Sequence, residues 1–197
     1  MPIIKIHPIK IEGCWLSGVA LDLQTTSSTP IGYNEFGHMQ FDTVRPEIAQ
    51  YLYRLKNHAD KEAADPIIET VADYLTGHRD KFDAIVPVPP SHQRELQPVI
   101  VLAKGIGAKL KIPVLACVRT TRDTSQLKNI TDPDERKKHV NGLYKVDQAQ
   151  TRGLKILLFD DLFRSGTTMN AITDELLGAG KATAVRALTI TKTRSNR

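Results

Sequence analysis

Two cysteines in 197 residues, Cys14 and Cys117, are too few for a disulfide framework and leave no cysteine cluster for structural zinc. Long hydrophobic runs are also missing. The longest fall far short of the roughly 20 apolar residues that cross a bilayer, and no charged n-region followed by an apolar h-region opens the chain. The expectation is a protein of the reducing cytoplasm with no membrane partner. Aromatic residues make up only 6% of the chain, and nowhere do they interleave with basic residues as a stacking platform for single strands. Nucleic acid is therefore a partner that the charge permits but the pattern does not favour. No internal repeat or low-complexity tract occurs. What is present is ordinary for a globular protein: 41% hydrophobic and 25% charged residues, enough for one sizeable α/β domain with a small appendage. A net charge of +5 suits anionic partners, whether phosphorylated small molecules, nucleotides or nucleic acid.

The pattern divides the chain in two. Residues 1–44 are rich in Thr, Ser, Gly and β-formers and read as short strands and turns, a small hood or flap. On the strand around Met39, His38 and Asp42 share one face, which reads as a solvent face rather than a metal site. Residues 45–197 form the core. Ile48, Leu52 and Leu55 share a helical face after Pro46, and Ile68, Val71, Ala72 and Leu75 share another that Gly77 ends. From Phe82 onward, strands and helices alternate. Strands are expected over Phe82–Val88, Pro113–Val118, Ile156–Phe159 and Ala184–Ile190, with helices from about Pro98 and after Gly166. Such alternation predicts a parallel, twisted sheet flanked by helices.

The richest segment runs from Ile156 to Thr168. Four apolar residues, Ile156 to Phe159, read as a buried strand; Asp160 and Asp161 follow where it should end; a short loop around Gly166 leads into a helix. Ligands of open α/β sheets collect at the carboxyl ends of strands, and a helix N-terminus there offers free N–H groups to a phosphate. Gly166 lets backbone approach an anion, and Thr167 and Thr168 add hydroxyls or cap the helix. Carboxylates are poor phosphate ligands but good acceptors for sugar hydroxyls. Chemically this is a ribose-phosphate cradle. An ordinary strand-loop-helix corner, or an acidic strand-end pocket of flavodoxin-like proteins, shares part of the pattern.

That segment resembles the phosphoribosyl-pyrophosphate (PRPP) motif of the type I phosphoribosyltransferases. The resemblance implies that Asp160 and Asp161 are the catalytic carboxylates facing the ribose, and that Phe163, Arg164, Ser165, Gly166, Thr167 and Thr168 wrap the 5′-phosphate. Arg164 stands where the family usually has Thr. The loop Val86-Pro87-Val88-Pro89-Pro90-Ser91-His92-Gln93-Arg94 resembles the pyrophosphate loop of the ComF (competence protein F) branch, which puts Pro89, Pro90, Ser91 and Arg94 at the diphosphate. After Arg94 the chain reads Glu-Leu-Gln-Pro where the branch commonly has Gly-Phe-Asn-Gln. A Pro-Pro strand stop followed by a solvated Arg94 would show the same residues.

The resemblance implies that the long charged stretch Arg119–Gly142 is the family's flexible loop, with Arg119, Arg122 and Arg136 as candidate cations. The zinc module that often opens ComF-type chains is one this sequence cannot build. The hood that resemblance assigns to residues 1–44 holds Trp15, Phe36 and Phe41; each is a candidate for stacking on a base, with core packing the expected role. The implied chemistry is transfer of a phosphoribosyl group to or from a nitrogen nucleophile with pyrophosphate. Mg²⁺ would be held through PRPP and water, with no direct protein ligand. A glutamine-dependent amidotransferase is not expected, because neither cysteine is placed as a glutaminase nucleophile. A PRPP or nucleotide sensor without turnover, and a ComF-like accessory factor in DNA uptake, are the alternatives. A homodimer is left open.

Overall fold

The computed structural model describes residues 3–90, 96–121 and 142–194. In chain order these contain β1 (Ile9–Lys10), β2 (Ser17–Leu23), β3 (Ser27–Tyr33), β4 (Met39–Val44), α1 (Glu47–Asn57), α2 (Ala64–Thr76), β5 (Ala84–Pro87) and α3 (Pro98–Leu110). Then follow β6 (Val118–Thr120), β7 (Tyr144–Val146), α4 (Gln148–Thr151), β8 (Lys155–Phe163), α5 (Thr167–Leu177) and β9 (Ala184–Lys192). The principal sheet has the order β1-β2-β9-β8-β5, parallel except for β1 at one edge. The result is the expected α/β architecture, a mostly parallel sheet flanked by helices.

Alternation along β8 explains the layers. Leu157 and Phe159 face one side, packing with Ile48, Leu52 and Leu55 of α1, Ile67 and Val71 of α2, and Leu102 and Ile106 of α3. Ile156 and Leu158 face the other, packing with Met169, Ile172 and Leu176 of α5 and with Val118 and Tyr144 of the β6–β7 hairpin. A strand buried on both faces needs no polar residue, which is why this run is uniformly apolar. Among the described residues, no helix is long and apolar enough to cross a membrane.

Three elements differ from expectation. The strand expected to end at Phe159 continues to Phe163, because β9 keeps offering partners: Asp160 pairs with Thr189, Leu162 with Thr191 and Phe163 with Lys192. The strand expected over 113–118 contributes one bridge, Val114 beside Ile85. Ile85 N–H donates to the Pro113 carbonyl and Leu115 N–H to that of Ile85, both at 2.9 Å. Pro113 has no N–H to extend the ladder, and the chain turns away into β6. Within residues 1–44, β1 and β2 extend the principal sheet, with Val19 paired to Leu188, while β3 and β4 form a separate antiparallel hairpin.

The short helix α4 is held by its first residues. Asp147 accepts from the Ala149 N–H at 3.1 Å and from Gln150 Nε2 at 2.7 Å. Asp147→Ala is expected to cost about 1 kcal/mol, the usual loss for an N-cap, read from the urea midpoint.

Candidate functional site

Chain connectivity singles out one place on the sheet. From β5 the chain passes through α3 to Val114 on one side of β5, then returns to β8 on the other. The strand order therefore reverses between β5 and β8, and such a switch point opens a crevice at the carboxyl ends of the strands. Pro87 pairs with Phe159, and Val88 N–H donates to the Phe159 carbonyl at 2.9 Å. Pro89 and Pro90 thus leave the sheet alongside Asp160 and Asp161, about one strand spacing (~4.8 Å) away.

Because β8 stays extended through the acidic pair, successive side chains alternate between its two faces. Asp161 takes the face of α1, where Lys56 Nζ lies 2.8 Å from its Oδ2; the two side chains are 27% (Lys56) and 13% (Asp161) exposed. Its carbonyl accepts from Thr191 Oγ1 at 3.1 Å. Asp160 accepts the Asp161 N–H on Oδ1 at 2.8 Å. Burial, and then the negative charge of Asp161, push the Asp160 carboxyl up to about 8; that N–H and the Lys56 ammonium only partly oppose the rise.

After Phe163 the chain makes a tight corner. Gly166 has φ +75° and forms the N-terminal boundary of α5, its carbonyl accepting from Asn170 N–H at 2.8 Å. No side chain caps the helix. The N–H groups of Thr167, Thr168 and Met169 lack intrahelical acceptors by helix geometry, so they face outward at the positive end of the dipole. Ser165 and Thr167 hydroxyls lie 2.9 Å apart beside them. Arg164 and Ser165 are exposed, and Thr167 and Thr168 half-buried. Phe163 is different: its ring is buried edge-on against Trp15, with centroids 6.1 Å apart, and its carbonyl accepts from Thr193 N–H. It supports the loop from beneath. Asn170 Oδ1 accepts the Cys14 N–H at 2.8 Å, tying the segment before β2 to the first turns of α5.

The structure therefore brings together Asp160, Asp161, the loop from Arg164 to Thr168, and Pro89 and Pro90. Arg119 is exposed on β6, paired across the hairpin with Lys145, and lines a cavity of about 420 Å³ with Asp147, Gln148 and Gln150. Ser91, Arg94, Arg122 and Arg136 lie outside the described residues. Of the three aromatics named as stacking candidates, Trp15 packs in the core, whereas Phe36 and Phe41 are 75% and 54% exposed on the β3–β4 hairpin. Core packing is corrected for those two, because a two-stranded hairpin outside the principal sheet has no layer to bury them. Sequence reasoning missed Lys56, Asn170 and Trp15 as site supports. A lysine in the last turn of an amphipathic helix carries no local sign of such a role, since the helix dipole alone accounts for it.

Among the described residues, no cluster of three or more His, Cys, Asp or Glu side chains could hold a metal unaided.

No protein-family model and no curated protein sequence matches the chain. Among solved structures it is similar to the adenine phosphoribosyltransferase of Leishmania donovani, at 13% identity over 89% of this chain and 71% of that one, with a TM-score of 0.49. It is similar to adenine phosphoribosyltransferase from Saccharomyces cerevisiae, at 12% identity over 84% of this chain and 82% of that one, with a TM-score of 0.48. The glutamine PRPP amidotransferase of B. subtilis is similar at 18% identity over 80% of this chain, with a TM-score of 0.48; the chain spans 34% of that protein's length.

Proposed function

We propose that this chain binds PRPP with Mg²⁺ and transfers its phosphoribosyl group to a nitrogen nucleophile, as a type I phosphoribosyltransferase of the ComF-like branch. One observation carries the reading: a half-buried acidic pair and an uncapped helix start lie together at the crevice where the strand order reverses. In this reading the N–H groups at the start of α5, with Ser165 and Thr167, hold the 5′-phosphate, and Asp160 and Asp161 accept the ribose hydroxyls. As the C1–O bond to pyrophosphate breaks and a C1–N bond forms, positive charge develops on the sugar. The Asp161 carboxylate stabilises it, joined by Asp160 where that group is ionised, because both are fixed by strand geometry before the reaction begins. Mg²⁺, when bound, neutralises the leaving pyrophosphate. Pro89 and Pro90 give the chain a rigid exit from β5.

Calorimetric titration of Mg²⁺–PRPP tests the reading. Wild type is expected to bind, and Asp160→Asn/Asp161→Asn to show no heat while folding normally. A well-folded wild type that gives no heat sinks the assignment. Binding without pyrophosphate release, across a panel of nitrogen bases, would leave a sensor in place of an enzyme.

A further inference from the structure

Asp161 already has a cation. Lys56 reaches it from the last turn of α1, an element separate from the motif, and stops 2.8 Å from Oδ2. Neither side chain sits at open surface, since they are 27% and 13% exposed. An ammonium at the end of a helix is well served by water and by the helix dipole. Drawing this one onto a strand carboxylate fixes a flexible, strongly hydrated side chain, and the attraction of a sheltered carboxylate has to exceed that loss. The contact also takes one of the few oxygens at the strand end. Asp160 Oδ1 is held by the Asp161 N–H, and Asp161 Oδ2 by Lys56. Two adjacent carboxylates without a counter-ion would draw in a free divalent cation; here the charge of Asp161 is already offset from within the chain.

We propose that Lys56 is the resident counter-cation of the acidic pair, excluding free divalent cations from Asp161 until a ligand that carries its own cation displaces the ammonium. The inference rests on the phosphoribosyl reading of the site. It makes the site discriminate in order as well as in chemistry. A metal complexed to a polyphosphate enters, because the anionic oxygens of that ligand give the displaced ammonium a new partner. A bare hydrated metal does not, because displacing Lys56 would leave a sheltered ammonium unpaired, which is costly.

The experiment uses Mn²⁺ alone as the probe, with free Mn²⁺ read by electron paramagnetic resonance. Lys56→Met is expected to bind Mn²⁺ at least tenfold more tightly than wild type, and Lys56→Met/Asp161→Asn to lose that gain. Lys56→Arg, which keeps the charge, should behave as wild type. Equal Mn²⁺ affinity in wild type and Lys56→Met overturns the proposal, as does a gain that survives Asp161→Asn. Should Lys56→Met fail to fold by circular dichroism, Lys56→Gln removes the charge while keeping a polar head for Asp161, and its readout is the same. No PRPP enters this measurement. Failure here is thus distinct from failure of the phosphoribosyl reading, which the calorimetry above reports.

Discussion

Asn in place of Asp160 is expected to make the protein more stable at neutral and alkaline pH, with an advantage that grows as pH rises. The Asp160 carboxyl stands at about 8 in the folded protein against an ordinary value of 3.8, chiefly through burial and then through the charge of Asp161. Between those two values the folded state keeps a proton that the unfolded chain has released. Stability therefore falls as pH rises through this window and levels off above about 8. Asn has no proton to lose and keeps the Oδ1 that accepts the Asp161 N–H. The wild-type and variant pH curves should differ least below pH 4 and most above pH 8. At about 1.4 kcal/mol per unit, the shift sets a ceiling of roughly 6 kcal/mol. Asp160 is only half-buried, so solvent screening lowers the expected gain to roughly 2–3 kcal/mol. Urea denaturation at pH 5, 7 and 9 reads it. A variant whose stability follows wild type at all three values would show that Asp160 is ionised throughout.

The same substitution should weaken PRPP binding, and the opposite signs are informative. A core position that became more stable with Asn and lost nothing else would be a packing accident. A position whose carboxyl costs stability yet is required for ligand binding is one where strain is kept for function.

The acidic pair and the corner after it were legible because their signals are local. A four-residue apolar run, two carboxylates, a glycine and a hydroxyl pair lie along one stretch of chain, and strand-loop-helix is the simplest way to arrange them. The helical faces of α1 and α2 were legible for the same reason, since Ile48, Leu52, Leu55 and Val71, Leu75 repeat at the helical period. What was hidden is what distant residues decide. Asp160 and Asp161 carry no strand propensity, yet β9 pairs with β8 past them and turns the two carboxylates to opposite faces. Val19 gives no sign that its neighbour is Leu188, because parallel pairing across the whole chain leaves no periodicity at either end. Lys56 looked like any basic residue closing a helix. Its carboxylate partner lies more than half the chain away in sequence, and only the packing of α1 across the sheet joins them.

Gly166→Ala should separate the loop's shape from its chemistry. At φ +75° an alanine pays for the left-handed backbone, about 1–2 kcal/mol. A Cβ there would also stand 2.9 Å from Phe163 Cε2, on a buried ring that already meets Trp15 edge-on. A buried ring yields little, so the corner is expected to move, and the N–H groups of Thr167 and Thr168 with it. Gly153→Ala is the matching control: its φ is +79°, and nothing lies within 4 Å of its added Cβ. Both variants should lose the conformational part of the stability. Gly166→Ala should lose roughly a further 1–3 kcal/mol from overpacking. Ribose 5-phosphate titrated into the two variants gives the decisive comparison, with a loss of at least tenfold expected for Gly166→Ala and none for Gly153→Ala. Because Gly166→Ala alters no charge and no hydroxyl, a selective loss there means that the phosphate is read by backbone N–H groups held in one geometry. Equal affinity in the two variants would move the phosphate away from the start of α5 and leave Asp160 and Asp161 without the sugar proposed for them.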